Sequence, residues 1–229
     1  MEERLHLYEQ LMRLPFFQGM GSEDLASIIE QTKFGFCKVK AGGYLYHQDD
    51  PCTRLSIQIS GRLQMITAND DHAYRVREDL QPSHMIEPVS LFALNQRYAH
   101  SYQAVKDSHL IFLEKSEVLR LINQYLIFRL NWLNYLSTQA QKRDNIRWRK
   151  APGDLRHRVT RFFVEHCDRP AGEKEFEIKM NHLASEVNDS RRHVSAVLNA
   201  LQDEGLLVLH RGRIVIPAME LMLKSGSIN

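Results

Sequence analysis

Cysteine is scarce in this chain of 229 residues. Cys37, Cys52 and Cys167 lie far apart with no Cys-x-x-Cys pair, which excludes a disulfide framework and a four-thiolate metal site. A reducing compartment is the default. A charge excess of one sign is also lacking: 30 Lys plus Arg stand against 28 Asp plus Glu, a formal net charge of +2. Net charge therefore nominates neither nucleic acid nor an acidic partner, and any basic surface must be local. Long apolar runs are missing too. The most apolar-rich region, Leu119 to Leu136, is interrupted by Arg120, Asn123, Gln124, Arg129, Asn131 and Asn134, which disqualifies it as a membrane span. Met1 to Leu14 mixes charges with apolar residues and shows no signal peptide, so the expectation is a cytoplasmic protein with no membrane partner. Neither an internal repeat nor a low-complexity tract is visible. What remains, 43% hydrophobic and 25% charged residues, suits a globular protein of one large or two ordinary domains.

The hydrophobic period changes twice along the chain. Two short helices open it: Leu5, Tyr8, Leu11 and Met12 share one helical face, and Leu25, Ile28 and Ile29 share another after Ser22, a suitable N-cap. From Phe34 short runs follow: Phe34 to Val39, Tyr44 to Tyr46, Leu55 to Ile59 and Leu63 to Ile66. Ala41-Gly-Gly43, Asp49-Asp-Pro51, Ser60-Gly61 and Asn69-Asp-Asp71 separate them as turns. Tyr74 to Leu80, Ser101 to Val105 and His109 to Leu113 continue the pattern. It predicts antiparallel strands in a small sandwich or barrel. After Lys115 turn residues vanish until Pro152, and Leu119, Ile122, Leu126, Leu130, Leu133 and Ala140 recur at helical spacing. One long helix is expected, with Phe128, Trp132 and Tyr135 adding apolar surface beyond a single stripe. Dimerisation through it is one reading, and packing wholly inside its own domain is the other. The helix ends in the basic run Lys142-Arg143 and Arg147 to Lys150, and Ala151-Pro-Gly153 marks a hinge. Asp154 to Cys167 reads as a further helix, with Leu155, Val159, Phe162 and Phe163 inward, and Asp168 to Gly172 as a loop.

The most informative spacing lies between Lys179 and Asn199. A first helix is expected over Asn181 to Val187, with small Ala184 permitting close approach of the next helix. Asn188-Asp189 turns the chain, and Ser190 caps a second helix running to about Glu204. This second helix would bury Val194, Val197, Leu198 and Leu201 and leave its N-terminal polar residues facing outward, where a recognition helix meets base edges and phosphates. Gly205 suits the helix C-terminus. Leu206 to His210 and Arg213 to Ile216 then flank Arg211-Gly212 as a two-stranded hairpin, which completes a winged helix-turn-helix. Arginines at such a hairpin tip reach the phosphate backbone, supplying affinity without sequence information. From residue 151 onward Lys plus Arg and Asp plus Glu are equal at 11 each, so the case rests on placement and implies salt-sensitive but not indiscriminate DNA binding.

A jelly-roll-like domain, a long helix, a hinge and a winged helix-turn-helix, in that order, resemble the cyclic-AMP receptor and fumarate-nitrate regulator (Crp/Fnr) superfamily of bacterial transcription factors. The stretch from Leu183 to Leu206 is similar to the family's first helix, Ser-Arg start and closing Leu-x-x-x-Gly-Leu. The resemblance implies an α+β architecture: an N-terminal antiparallel β-roll over residues 1–114, a dimerisation helix over 115–150 and a winged helix-turn-helix over 151–229. It implies a homodimer on a palindromic site in double-stranded DNA, with RNA polymerase as a further partner. Ser190 and Arg191 match the family's motif, and by that match Arg191 contacts a guanine or a phosphate. Arg192 falls where many members have Glu, and His193, Ser195 and Ala196 complete the exposed face, so a different operator is expected. Ser190 and Arg192 would set register, and Arg211 and Arg213 would hold the backbone.

The family's cyclic-nucleotide cassette has Gly-Glu before a Leu-Phe pair and Arg-Ser or Arg-Thr after it, the Glu for the ribose hydroxyl and the Arg for the phosphate. Here Glu87-Pro-Val-Ser-Leu-Phe92 and Asn95-Gln-Arg-Tyr-Ala-His100 occupy that stretch. Registered on Leu91-Phe92, Pro88 stands where the Glu belongs, Tyr98 where the Arg belongs and Ala99 where the Ser or Thr belongs. Arg97 is one residue off, which in a strand turns it to the other face. A buried cyclic phosphate without a cation is strongly disfavoured, so cyclic AMP is not expected as effector. Glu87, Ser90, Arg97, Tyr98 and Ala99 then outline a degenerate pocket. No cofactor is predicted, and another small-molecule effector, or none, remains open. Iron-sulfur chemistry would need four cysteine ligands, and His47, His72, His84, His100 and His109 qualify as haem ligands only by residue type. No metal site is expected.

Two other classes compete with a DNA-binding regulator. One is a ligand sensor or protein-interaction module whose winged domain does not read DNA. The other is an enzyme, for which the sequence offers neither a His-x-His cluster with a carboxylate nor a nucleophile motif, so no catalysis is expected.

Overall fold

The computed structural model describes residues 2–147 and 153–225. The expected hinge at Ala151-Pro152 and the basic stretch Trp148 to Lys150 lie outside the described residues. The chain divides into two compact units, one of residues 1–63 and 80–147, the other of residues 64–79 and 148–229.

The first unit opens with α1 (Glu2–Met12), a 3-10 turn at Pro15–Phe17 and α2 (Ser22–Gln31). Strands β1 (Gly35–Val39), β2 (Tyr44–Tyr46), β3 (Arg54–Ala68), β4 (Tyr74–Leu80), β5 (Met85–Ile86) and β6 (Ser101–Glu114) follow; the end of β3 and most of β4 fall in the second unit. β1 and β2 both run antiparallel to β6, from Gly35↔Phe112 to Val39↔Ser108 and at Tyr44↔Gln103, while β5 pairs with β3 at Ser56↔Ile86. The antiparallel N-terminal sheet is as expected.

Two details of the N-terminal strands differ from the sequence reading. Ser60-Gly61 is no turn, because β3 runs unbroken through it. Gly61 adopts φ +86°, and a Cβ there would lie 2.3 Å from the Asp107 carbonyl oxygen and 2.5 Å from Ser108 Cα, so glycine permits a close backbone approach inside the sheet. The two expected strands at Ser101 to Val105 and His109 to Leu113 are likewise one strand, β6. Its in-out alternation lapses where Val105, Lys106 and Asp107 are all exposed, which imitates a gap in sequence.

The expected long helix is two: α3 (Lys115–Gln124) and α4 (Leu126–Arg147). Tyr125 between them is extended, at φ −115° and ψ 108°. Neither Pro nor Gly marks this break. Tertiary contacts hold it, as the Tyr125 hydroxyl donates to Ser27 Oγ (3.3 Å) and Arg120 donates to Thr32 Oγ1 (2.7 Å). Beyond the break, Phe128 and Trp132 pack on Phe16 of the 3-10 turn, with ring centroids 5.8 and 4.5 Å apart. Asn131 donates to the Phe16 and Gln18 carbonyls, fixing the turn to α4. No helix among the described residues is long and apolar enough to cross a membrane.

The second unit contains α5 (Leu155–Glu165), β7 (Lys174–Ile178), α6 (Met180–Glu186), α7 (Arg191–Asp203), β8 (Val208–His210), β9 (Arg213–Ile216) and α8 (Met219–Ser225). Its sheet runs from the end of β3 through β4, β7 and β9 to β8. The hairpin of residues 64–79, expected with the N-terminal strands, thus supplies two strands here. β4 pairs with β7 from Tyr74↔Ile178 to Glu78↔Lys174. Tyr74 and Val76 join Phe162, Phe163, Phe176, Leu183, Val194 and Leu198 in one core. Beside it, the Lys174 ammonium meets Glu78 Oε2 at 3.0 Å with each side chain 3% exposed, and Glu78 also accepts from the Asp168 amide (2.8 Å). A charge pair so buried is sustained by such direct partners.

Candidate nucleic-acid interface

The turn between α6 and α7 is built by backbone chemistry. Asn188 adopts φ +49°, a left-handed conformation that Asn tolerates better than most residues. Its N–H donates to the Ser185 carbonyl (3.1 Å), and the Asp189 N–H donates to the Ala184 carbonyl (3.0 Å). This pair of bonds is a Schellman closure of α6, and it redirects the chain at once into the next cap. Ser190 is extended, at φ −70° and ψ 144°, and its Oγ accepts from the His193 amide (3.2 Å), as the sequence predicted for an N-cap.

Asp189 ties the turn to the rest of the unit. Its carboxylate accepts from the Ser190 amide (2.8 Å), from His193 Nδ1 (3.0 Å) and from Arg158 Nη2 of α5 (2.5 Å). Arg158 also donates to the carbonyls of Val187 (3.0 Å) and Gly153 (2.9 Å). The His193 ring, followed by the Ser190 N–H, holds the Asp189 carboxyl below the usual carboxylate range. Nothing in the sequence pattern singled out Arg158 or Asp189 as a pair, since they stand 31 residues apart.

α7 buries Val194, Leu198 and Leu201 completely, with Val197 half-buried beside them. Ser190, Arg191, Arg192, His193 and Ala196 are exposed, and Ser195 is half-buried. Neither Arg191 nor Arg192 engages another side chain among the described residues, whereas the His193 ring is turned to Asp189. The expected hairpin is β8 and β9, with His210 opposite Arg213, Gly212 at φ +74° and Arg211 exposed at the tip. Arg213 points back along the sheet to Glu175 Oε2 (3.5 Å), so it is partly engaged within the protein.

Of the residues expected to outline the degenerate pocket, Glu87, Ser90 and Ala99 meet, while Arg97 is bonded to Asp49. Tyr98 is buried and stacks on Tyr46 at 4.1 Å with ring planes 14° apart. Burial, with Tyr46 adding to it, pushes its hydroxyl well above the usual range, so it stays neutral. Arg97 donates to the Asp49 carbonyl (2.5 Å), and its neighbour Tyr98 takes the inward position. Glu87 stands at φ +37° and ψ 57°, and its carboxylate gathers four donors. Oε2 accepts from Ser90 Oγ and the Ala99 amide (both 2.8 Å), and Oε1 accepts from the His100 amide (3.0 Å) and the Tyr102 hydroxyl (2.9 Å). Tyr102, bonded to Glu87, and Tyr46, stacked on Tyr98, are neighbours that motif comparison missed. Their signal was the clustering of aromatics in neighbouring strands.

A capped, outward-facing basic helix start on a winged helix-turn-helix, together with an antiparallel sheet unit, defines a DNA-binding transcription regulator. Residues 36–125 match the family model described as "Cyclic nucleotide-binding domain", and residues 157–224 match that described as "Crp-like helix-turn-helix domain". The chain thus combines a cyclic nucleotide-binding domain with a Crp-like helix-turn-helix domain, the pairing found in Crp-type transcription regulators. It is 26% identical over 204 residues to the cyclic AMP receptor protein of Thermus thermophilus, covering 88% of this chain and 92% of that one. Among solved structures it resembles the catabolite activator protein of Thermus thermophilus, with 21% identity, 93% and 98% coverage and a TM-score of 0.50. It also resembles the sensor domain of the regulator DNR from Pseudomonas aeruginosa, with 19% identity, 63% and 95% coverage and a TM-score of 0.52. These structural likenesses concern the fold.

Proposed function

We propose that the chain works as a homodimer that reads a palindromic DNA site through paired α7 helices and does not respond to cyclic AMP. The observation that carries this reading is the start of α7, where Ser190 caps the helix and Arg191 and Arg192 face solvent with no partner among the described residues. In this reading Arg191 recognises a base edge, because a guanidinium pairs with the acceptors of guanine in the major groove. Ser190, Arg192, His193 and Ser195 fix register, and Arg211 and Arg213 lie along the phosphates. The Glu175 ion pair makes Arg213 the weaker of the two wing contacts. Residues 151–229 then serve as the DNA-reading part, joined by the hairpin of residues 64–79.

Dimerisation is supported by α4, where Leu126, Leu130 and Leu133 are 56%, 45% and 52% exposed and recur on one stripe. A second copy of the same stripe would cover them. Two recognition helices would then meet successive major grooves about one helical turn apart. A chromosomal target places such a regulator in the cytoplasm, with RNA polymerase as its downstream partner.

The relative from Thermus thermophilus is named for cyclic AMP. Here a neutral, buried Tyr98 stands where the family's phosphate-binding arginine belongs, and an anion enclosed there would lack a countercharge. Selection of bound sequences from random DNA by the purified full-length protein, with and without cyclic AMP, tests the whole reading. An enriched palindrome that is indifferent to the nucleotide is expected. No enrichment would favour a protein-interaction role instead, and a nucleotide-dependent affinity would overturn the effector argument.

A further inference from the structure

Glu87 is in an unusual state for a surface-proximal carboxylate. It is a non-glycine residue in the left-handed region, at φ +37°, and it directly precedes Pro88, where helical backbone conformations are further disfavoured by the proline ring. Such a conformation persists only where the surroundings over-determine it. What holds it is the set of four donors on its carboxylate, two of them the consecutive amides of Ala99 and His100. Consecutive backbone N–H groups converging on one pair of oxygens form an anion-binding concavity, and here the hydroxyls of Ser90 and Tyr102 complete it. A free carboxylate or a phosphate offers the same acceptor geometry.

We propose that this concavity is an oxyanion site whose occupant is the chain's own Glu87, a built-in ligand that fixes residues 87–90 against residues 99–102 and shuts out external anions. This deepens, and rests on, the reading of the sensor part as indifferent to cyclic AMP. Any effector with a carboxylate or phosphate group could take this seat only by displacing Glu87. The displaced residue would then be free to leave its disfavoured backbone conformation, which eases the exchange. The site therefore selects small oxyanions once the internal one is removed.

The test is chemical rescue in the full-length protein. Glu87→Ala takes the carboxylate away from the two amides and two hydroxyls, so its melting temperature in sodium chloride should fall by about several degrees. Sodium acetate or formate at equal ionic strength should restore much of that loss, while the wild type should be indifferent to the exchange of salts. Sodium phosphate, as a separate arm, shows whether a tetrahedral oxyanion is also accepted. Hydrogen exchange gives a second readout: the Ala99 and His100 amides should exchange on the order of tenfold faster in the variant and slow again in acetate. Should Glu87→Ala fail to fold, Glu87→Gln retains the shape but presents an NH2 to one pair of donors, and exchange at Ala99 or His100 should still rise. Rescue no larger than the wild type's own response to acetate, or wild-type exchange rates at both amides in Glu87→Gln, would overturn the proposal. DNA selection by the wild type is scored separately, so loss of the built-in ligand idea leaves the regulator reading standing, and the reverse also holds.

Discussion

Arg158 and Asp189 meet at 2.5 Å beneath the helix-turn-helix, and the same guanidinium holds the carbonyl of Val187, the last residue before the turn. One side chain from α5 thus braces both ends of the Val187-Asn188-Asp189 turn, and the orientation of α7 depends on it. Arg191 and Arg192 have no side-chain partner among the described residues, which suits the proposed contact with DNA.

Removing Arg191 should separate affinity from specificity. Arg191→Ala is expected to weaken the selected site about 10- to 100-fold while affecting scrambled DNA much less, in line with about 1–3 kcal/mol for a paired base contact. Arg211→Ala should weaken both DNAs alike and reduce the salt slope by about one. Fluorescence anisotropy titrations at several salt concentrations check both. An equal loss on the two DNAs for Arg191→Ala would remove it from base readout.

Acid should loosen the turn through Asp189. Its folded-state pKa is lowered, chiefly by the His193 ring and then by the Ser190 N–H, so the unfolded chain takes up the proton first. The stabilisation is therefore fully present above the ordinary carboxylate value and is lost as pH falls through the lowered folded value. Urea midpoints measured from neutral pH downward should show wild type above Asp189→Asn at neutral pH, with the gap closing in acid. A gap that stayed constant would mean that the carboxylate charge is not the cause. Ser190→Ala should add a loss of about 1 kcal/mol, the usual cost of removing an N-cap.

The buried pair of Glu78 and Lys174 offers a sharper stability test. Glu78→Gln leaves an ammonium with 3% exposure and no countercharge, and should cost about 3–5 kcal/mol. Replacing both residues by apolar ones of similar volume, Glu78→Leu with Lys174→Met, should recover most of that loss. Denaturant titration of the three proteins decides it. Equal stability of wild type and Glu78→Gln would show the pair to be dispensable.

For the dimer, charge on the exposed stripe of α4 is the decisive change. Leu130→Glu with Leu133→Glu sets like charges against each other across a two-fold contact and should give a monomer by sedimentation velocity. Affinity for a full palindrome should fall far more than affinity for a half-site. A variant that stayed dimeric would place the contact elsewhere.

The winged helix-turn-helix was legible because its signals are local: a serine three residues before the amide it caps, an Asn-Asp turn, valines and leucines at helical spacing, and Arg-Gly between two short strands. Gly61 was misread for the opposite reason. Ser-Gly in sequence looks like a turn, and only the approach of the Asp107 carbonyl, far along the chain, shows why glycine stands there. The alternation of Lys174 to Ile178 has the period of a strand, but its inward lysine finds its partner only through pairing with β4. The break at Tyr125 and the four bonds to Glu87 likewise depend on residues distant in sequence, which periodicity does not register.

The hairpin of residues 64–79 has a consequence for anyone recombining modules of this protein. A fragment beginning at residue 151 would leave β7 with a bare edge beside Phe162 and Phe176, inviting aggregation. The second unit is discontinuous in the sequence, so a chimera cut only once would transplant it with part of its sheet left behind.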